Sequence, residues 1–237
     1  MTLAPKLKVL YPYPLRPMRF HRSNKGLKTE TYGFKNPSDI QAMQKALLYN
    51  SSLKPSYCLR NYLFFVLGVN TGFRASDLCM LRWSNIFHPN SSSFNNETWN
   101  EVVEEKTGKK RQVVINESSQ KAILFYLTSL GITPSTLNPT DYVFKSRKGN
   151  THINPDSMRK VIKEAAAQCH IPFNVGTHSM RKTFGYNLYK ASNNDIGLVQ
   201  NVLNHSSAKA TLRYIGMDRE YTRNAYSLLP DSTWTPS

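Results

Sequence analysis

The chain has 237 residues, of which 40% are hydrophobic and 11% aromatic, a composition that suits one folded domain with a substantial core. Its formal charge of +16, from 31 Lys and Arg against 15 Asp and Glu, favours a polyanionic partner such as nucleic acid. No apolar stretch reaches the roughly 20 residues that span a bilayer, and the N-terminus lacks a signal peptide's apolar run, so we expect neither a membrane protein nor a secreted one.

Residues 1–35 are predicted to form a basic arm rather than a domain. They carry eight Lys or Arg and one acid, Glu30, and four prolines prevent a regular helix. We expect Arg16, Arg19 and Arg22 to lie along phosphates in an extended conformation. A basic tail that orders only weakly is an equally open alternative.

Three helices are predicted after the arm. The run Asn-Pro-Ser-Asp at 36–39 supplies a cap, a proline in the first turn and an acid at the positive helix end. A second helix begins at Pro55 and is apolar nearly all round to Val69, so it is predicted to be a buried core helix that stops at Gly72. A third, short helix is expected over 75–82.

A β-hairpin is predicted next, because valine and isoleucine at 99–106 and 111–116 flank a Thr-Gly-Lys-Lys turn at 107–110. A short strand is expected at 142–144. Helices are predicted for the remaining segments of helical periodicity, 117–130, 155–169, 179–189, 195–203 and 218–229. The pattern indicates an α+β fold that is mainly α, with one small antiparallel sheet.

Several side chains that could take part in a reaction lie in the last quarter of the chain. His178 and Arg181 are three apart and share one helix face. His205 stands where a helix should end, and Tyr214 follows nine residues later in a short helix that Ser207 could cap. Taken alone, a helical tyrosine is more often a packing residue, and that interpretation stays open at this point.

An earlier cluster changes the interpretation of Tyr214. The motifs T-G-F-R-A-S-D-L at 71–78, H-S-M-R at 178–181 and L-N-H at 203–205, followed by Tyr214, resemble those of tyrosine recombinases of the integrase type. The match covers about residues 36–217 and implies the helical catalytic domain of that family. In that family two arginines, two histidines, a hairpin lysine and a tyrosine form one active site, and here they correspond to Arg74, Lys106, His178, Arg181, His205 and Tyr214.

The resemblance implies metal-free cleavage of a phosphodiester. Guanidinium groups of Arg74 and Arg181 would grip the phosphate oxygens, and Tyr214 would attack to form a 3′-phosphotyrosyl link that needs no ATP. His178 would accept the phenol proton, and His205 would donate a hydrogen bond to a phosphate oxygen.

The leaving 5′ oxygen requires a proton, which a hairpin lysine supplies in the family. Lys106 is the expected acid, with Lys109 and Lys110 as competing assignments. Lys109, Lys110 and Arg111 are also expected to contact DNA. Asp77 stands where the family usually has glutamate and is expected to orient Arg74 or another residue of the site.

The organisation expected from the resemblance is an arm at 1–35, a catalytic domain at 36–217 and a C-terminal tail at 218–237. Relatives usually carry a separate helical DNA-binding domain ahead of the catalytic one, which the arm does not resemble. The expected partners are double-stranded DNA and further copies of the chain. Accessory DNA-binding proteins are also expected, to supply the grip on DNA that the separate domain gives the relatives.

The cysteines number three and form no C-x-x-C pair, and neither they nor the scattered acids have metal-ligand spacing. We therefore expect no metal or cofactor, and a cytoplasmic, nucleoid-associated setting. Two other functions stay open: DNA relaxation like that of a type IB topoisomerase, and DNA binding by a relative that has lost activity.

Overall fold

The computed structural model describes residues 30–229 except 89, 96–99, 104–107, 109 and 148, and gives only the backbone for 100–103 and 110–113. The described chain is mainly helical, as predicted. In chain order its elements are α1 Pro37–Leu48, α2 Pro55–Thr71, α3 Ala75–Cys79, β1 Asn100–Val103, β2 Lys110–Val113, α4 Glu117–Ser129, α5 Pro155–Gln168, α6 Thr177–Ala191, α7 Ile196–Val202, α8 Ala208–Ile215 and α9 Asp218–Ser227. None of the helices in this part of the chain is both long and apolar enough to cross a membrane.

Helix α2 lies at the centre of the larger core. It packs against α1, α4 and α6, and its Phe64 and Phe65 are fully buried, as predicted from its continuous apolar sequence. The predicted start of α1 is also confirmed, because the side chain of Asn36 accepts a hydrogen bond from the backbone of Ser38 at 3.1 Å.

The two strands pair antiparallel over four residues each, with Asn100 opposite Val113 and Val103 opposite Lys110. The chain leaves β2 before Ile115, which is buried in the core, and Asn116 then caps α4. Its side-chain amide donates to Asn70 Oδ1 at 3.1 Å, so the base of the hairpin is attached to the last turn of α2.

Two local predictions were wrong. Residues 142–144 form a turn between isolated bridges at Tyr142 and Lys145 rather than a strand. Val143 and Phe144 are both buried, and consecutive side chains of a strand would point to opposite faces. The third helix ends at Cys79 instead of 82, because Arg82 pairs with the backbone of Tyr142.

Helices α6, α7 and α8 form a second, smaller hydrophobic cluster. Val199 and Leu203 of the α7 region pack with Leu212 and Ile215 of α8 against α6. Gly185 of α6 makes this packing close, since a Cβ there would lie 2.8 Å from Ile215 Cγ2. Helix α9 follows α8, and none of its side chains is buried within the described chain.

The segment 31–35, here called the strap, was assigned to the arm by its sequence but packs on the folded domain. Phe34 is fully buried in the larger core, and its N–H donates to Thr183 Oγ1 at 2.7 Å. The N–H of Tyr32 donates to the carbonyl of Asn174 at 3.1 Å. The chain from Thr31 onward forms one compact unit, so the boundary expected at residue 35 falls too late.

Candidate active site

The first arginine lies where helix α2 ends. Gly72 adopts a left-handed conformation with φ of 62°, which stops α2 and places Arg74 immediately before α3. The guanidinium Nη1 of Arg74 lies 3.9 Å from Oδ2 of Asp77, whose side chain is only 1% exposed. Ser76 donates to the other oxygen of this carboxylate at 3.4 Å. Asp77 is therefore placed beside the guanidinium that the motif predicts it to orient.

The second arginine, on α6, is buried against the C-terminal ends of α2 and α7. Arg181 is 2% exposed; its Nη1 donates to the carbonyl of Gly72 at 2.5 Å and its Nη2 to that of Leu203 at 2.7 Å. Arg74 lies two residues after Gly72, and His205 lies two residues after Leu203. One guanidinium therefore joins the segments that carry the two other motifs.

His178 lies in the first turn of α6 and is exposed. It precedes Arg181 by three residues, so the two side chains leave the same side of the helix. His178 is exposed at the first turn of α6, whereas Arg181, one turn further along the same side, is covered by the segments that carry Gly72 and Leu203. An exposed imidazole of this kind is accessible to a substrate that approaches α6.

His205 is held by hydrogen bonds on the turn after α7. Its N–H donates to the carbonyl of Gln200 at 2.9 Å. Its Nδ1 lies 3.2 Å from the hydroxyl of Thr211, which donates its own hydrogen to the carbonyl of Ser207 at 2.9 Å. Since that hydroxyl hydrogen is used, Nδ1–H must be the donor to Thr211, which leaves Nε2 as an acceptor in the neutral ring and a donor only in the imidazolium.

Tyr214 is half-buried on α8, where the side chains of His205 and Lys182 both contact its ring. The His205 ring meets its ring edge-on, with centroids 5.0 Å apart and an interplanar angle of 81°. On α6, Lys182 places its Nζ 5.3 Å from the Tyr214 ring centroid. Tyr214 therefore contacts His205, on the turn whose Leu203 carbonyl is bonded to Arg181. It also contacts Lys182, the residue after Arg181.

Residues 37–220 match the model of the phage integrase family. The chain belongs to the phage integrase family. It is 35% identical over 169 residues to the probable integrase/recombinase YoeC of Bacillus subtilis, covering 71% of this chain and 84% of YoeC. It is 28% identical to the tyrosine recombinase XerC of Neisseria gonorrhoeae over 71% of this chain, but spans only 50% of that protein.

Solved integrase-family structures share the fold of this chain. XerH bound to its difH substrate after cleavage has a TM-score of 0.64 at 20% identity, covering 87% of this chain and 55% of XerH. The XerA recombinase has a TM-score of 0.58 at 22% identity, covering 84% of this chain and 65% of XerA. The tyrosine recombinase catalytic fold expected from the motifs is therefore confirmed for this integrase-family chain.

Several predicted site residues lie outside the described part of the chain: Arg16, Arg19, Arg22, Lys106 and Lys109. For Lys110 and Arg111 only the backbone in β2 is described. The assignment of the hairpin lysine thus stays a prediction. The contact between Asn116 and Asn70 bears on it, since it attaches the base of the hairpin four residues before Arg74.

Sequence reasoning passed over two residues that contact members of this candidate site, Lys182 and Thr211. Thr211 occupies a hydroxyl-bearing position three residues before Tyr214, a spacing that could have indicated a shared helix face. No local signal marks Lys182. Its contact with Tyr214 spans 32 positions and exists only because α6 and α8 pack together.

Proposed function

We propose that this chain is a site-specific DNA recombinase or integrase that breaks and rejoins DNA through a tyrosine-linked intermediate. The observation that carries the proposal is the convergence at Arg181, whose guanidinium joins the segments bearing Arg74 and His205, with Tyr214 against His205. Membership of the phage integrase family and the similarity to YoeC support the same class of reaction.

The chemistry begins with a phosphodiester whose negative charge repels a nucleophile. Arg74 and Arg181 hold fixed positive charge, and charge that is already in place stabilises the oxygens that gain electron density. Tyr214 attacks phosphorus, its proton passes to His178, and the bond to the 5′ oxygen breaks. The phosphotyrosyl link conserves the energy of the phosphodiester, so rejoining requires neither ATP nor a metal.

Two further groups complete the proposed reaction. Lys106 protonates the leaving 5′ oxygen from the hairpin, with Lys109 and Lys110 as the alternatives. His205 donates from Nε2 to a phosphate oxygen in its imidazolium form, because Nδ1–H is already used by Thr211. Asp77 holds the guanidinium of Arg74 from the buried side.

Double-stranded DNA is the proposed partner. The formal charge of +16 supplies the attraction, and helix α5 presents exposed Arg159, Lys160 and Lys163. The arm and the hairpin would add the contacts of Arg16, Arg19, Arg22, Lys109, Lys110 and Arg111. We propose that several copies assemble on DNA in the cytoplasm, with accessory DNA-binding proteins where one domain grips DNA weakly.

The test is covalent capture on DNA that carries a nick beside the scissile phosphate, so that the leaving strand diffuses away. The wild type should give a protein–DNA band on a denaturing gel, and Tyr214→Phe should give none while its DNA affinity persists. Tyr221→Phe, which removes an exposed phenol on α9, is the matched control and should capture DNA normally.

Capture by Tyr214→Phe at the wild-type level would reject Tyr214 as the nucleophile. Absence of capture by the wild type would favour a non-catalytic DNA-binding protein. Relaxation of supercoiled plasmid without exchange between two sites would favour the topoisomerase-like alternative.

A further inference from the structure

Lys182 joins the proposed nucleophile to a distant segment of the chain. It directly follows Arg181 on α6 and is half-buried. Its Nζ lies 5.3 Å from the ring centroid of Tyr214 and donates to the carbonyl of Thr31 at 2.7 Å. A flexible lysine stem that is fixed at its tip by a carbonyl can hold its charge over one aromatic face.

The strap that supplies this carbonyl is itself rigidly attached to α6. Phe34 is buried, and its N–H is bonded to Thr183, the residue after Lys182. Gly33 approaches α6 so closely that a Cβ there would lie 2.9 Å from the backbone of both Lys182 and Thr183. The carbonyl that holds the Lys182 ammonium therefore belongs to a segment with little freedom to move away.

The same strap also reaches the helix that carries Tyr214. Nζ of Lys35 donates to the carbonyl of Gly216 at 3.0 Å, which is the residue that ends α8, and lies 5.2 Å from the ring centroid of Tyr186. A cation at the C-terminal end of a helix is favourable for the helix dipole. The strap thus fixes both α8 and the lysine that faces Tyr214.

We propose that Lys182 is a positioning residue for Tyr214, held over the phenol ring by the strap. This inference rests on the proposed function, in which Tyr214 is the nucleophile. The ammonium attracts the negative face of the ring and fixes the direction of the phenol. It also favours the phenolate as the proton leaves for His178, while Lys182 keeps its own proton throughout.

Other ionisable groups near Tyr214 are His205, whose ring contacts it from the loop before α8, and Tyr186, which lies in the same cluster on α6. In its imidazolium form His205 favours the phenolate, whereas its neutral ring adds no charge. Lys182 adds a positive charge over the ring at neutral pH. A unit charge at this distance in partly solvated surroundings shifts a pKa by about one pH unit.

The test is a pH titration of the phenol by NMR of protein labelled with carbon-13 at tyrosine Cζ, in which the Tyr214 signal is the one absent from Tyr214→Phe. Lys182→Met should raise the Tyr214 pKa by about one pH unit, and Lys182→Arg, which keeps the charge, should restore it. Lys190→Met is the matched control on the same helix, where the lysine pairs with Glu220 at 2.9 Å. It should leave the Tyr214 pKa unchanged.

A second readout is the pH dependence of covalent capture on nicked DNA, whose apparent pKa should move up in parallel in Lys182→Met. An unmoved Tyr214 titration in Lys182→Met, with normal capture by the wild type, would overturn this inference and leave the proposed function intact. A moved titration without any capture by the wild type would uphold the contact and reject the proposed function. Weakened DNA affinity with an unmoved titration would mean that Lys182 is a phosphate contact instead.

Discussion

The two arginines of the candidate site differ in how much of the fold depends on them. Arg181 is 2% exposed and satisfies two backbone carbonyls at the ends of different helices. Arg74 has a side chain that is 19% exposed, and its ion pair with Asp77 is 3.9 Å long. Arg181 therefore serves both the packing of the domain and the proposed chemistry, whereas Arg74 is the more available for a phosphate.

This contrast predicts different costs for the same substitution. A lysine keeps the charge but lacks the planar fork, so Arg181→Lys should lose a carbonyl bond and about 2 kcal/mol of unfolding free energy. Arg74→Lys should lose less than about 1 kcal/mol, because the lysine keeps a positive charge beside the Asp77 carboxylate and the pair it replaces is 3.9 Å long. Both should slow DNA cleavage by about 10²-fold, because neither can grip two phosphate oxygens.

Urea unfolding and single-turnover capture on nicked DNA measure the two effects separately. Equal losses of stability in the two variants would contradict the bridging role of Arg181. A cleavage rate reduced less than about threefold would show that the residue concerned does not contact the phosphate.

At the scale of elements, the position of the short helix α8 depends on its neighbours. It is eight residues long, begins with the Ser207 hydroxyl accepting from Ala210 N–H at 3.2 Å, and ends at Gly216 with φ of 71°. So short a helix has little stability of its own, because its nucleation is costly. Packing against α6 at Gly185 therefore decides where Tyr214 lies.

Gly185→Ala tests this dependence. The added Cβ would lie 2.8 Å from Ile215 Cγ2 and 3.0 Å from Leu203 Cδ1. Overpacking should cost about 1–3 kcal/mol and outweigh the roughly 1 kcal/mol gained in helix propensity. We expect a lower urea midpoint and slower capture, because displacing Ile215 moves the neighbouring Tyr214.

Gly197→Ala, on the exposed first turn of α7, is the matched control. Its Cβ would approach only Oδ1 of Asp195, at 3.3 Å, and a shift of a few tenths of an ångström relieves this contact while the oxygen still accepts from Leu198 N–H. Stability should stay within about 0.5 kcal/mol of the wild type. If Gly185→Ala behaved in the same way, the close packing of α6 on α8 would not determine the position of Tyr214.

At the scale of the whole molecule, the packing of the strap separates two parts of the basic N-terminal sequence. Residues 31–35 hold Phe34 in the core and Lys35 at the end of α8. The seven Lys and Arg before them lie in residues 1–29. A truncation after residue 29 therefore removes seven of the eight basic residues of 1–35 and keeps the contacts of the strap.

Deleting residues 1–29 should leave the melting temperature unchanged, weaken DNA affinity and flatten its salt dependence. The slope of log K against log salt should change by about 0.9 for each phosphate that the arm neutralises in the intact protein. Deleting residues 1–35 should also destabilise the fold by about 3–5 kcal/mol, since it removes a fully buried phenylalanine. An unchanged salt slope after the shorter deletion would mean that the arm does not contact DNA.

Local rules account for the part of the fold that the sequence predicted. The caps of α1 and α8, the apolar length of α2 and the glycine stop at Gly72 each depend on residues within one or two helical turns. The residue types of the motifs likewise indicated Arg74, Arg181, His205 and Tyr214 before their geometry was known. The failures at 142–144 and 80–82 arose where a turn packs against a distant segment and overrides local strand or helix preference.

By itself, then, the sequence determined a mainly helical domain of the integrase family and the motifs that its site is built from. The tertiary structure alone decided that Arg181 joins two of those motifs, that the strap belongs to the folded domain, and that Lys182 faces Tyr214. The physical reason is sequence separation: Lys182 meets Thr31 across 151 positions, and Phe34 meets Thr183 across 149. Contacts this distant leave no periodic signal in the chain, because only the packing of complete helices brings the residues together.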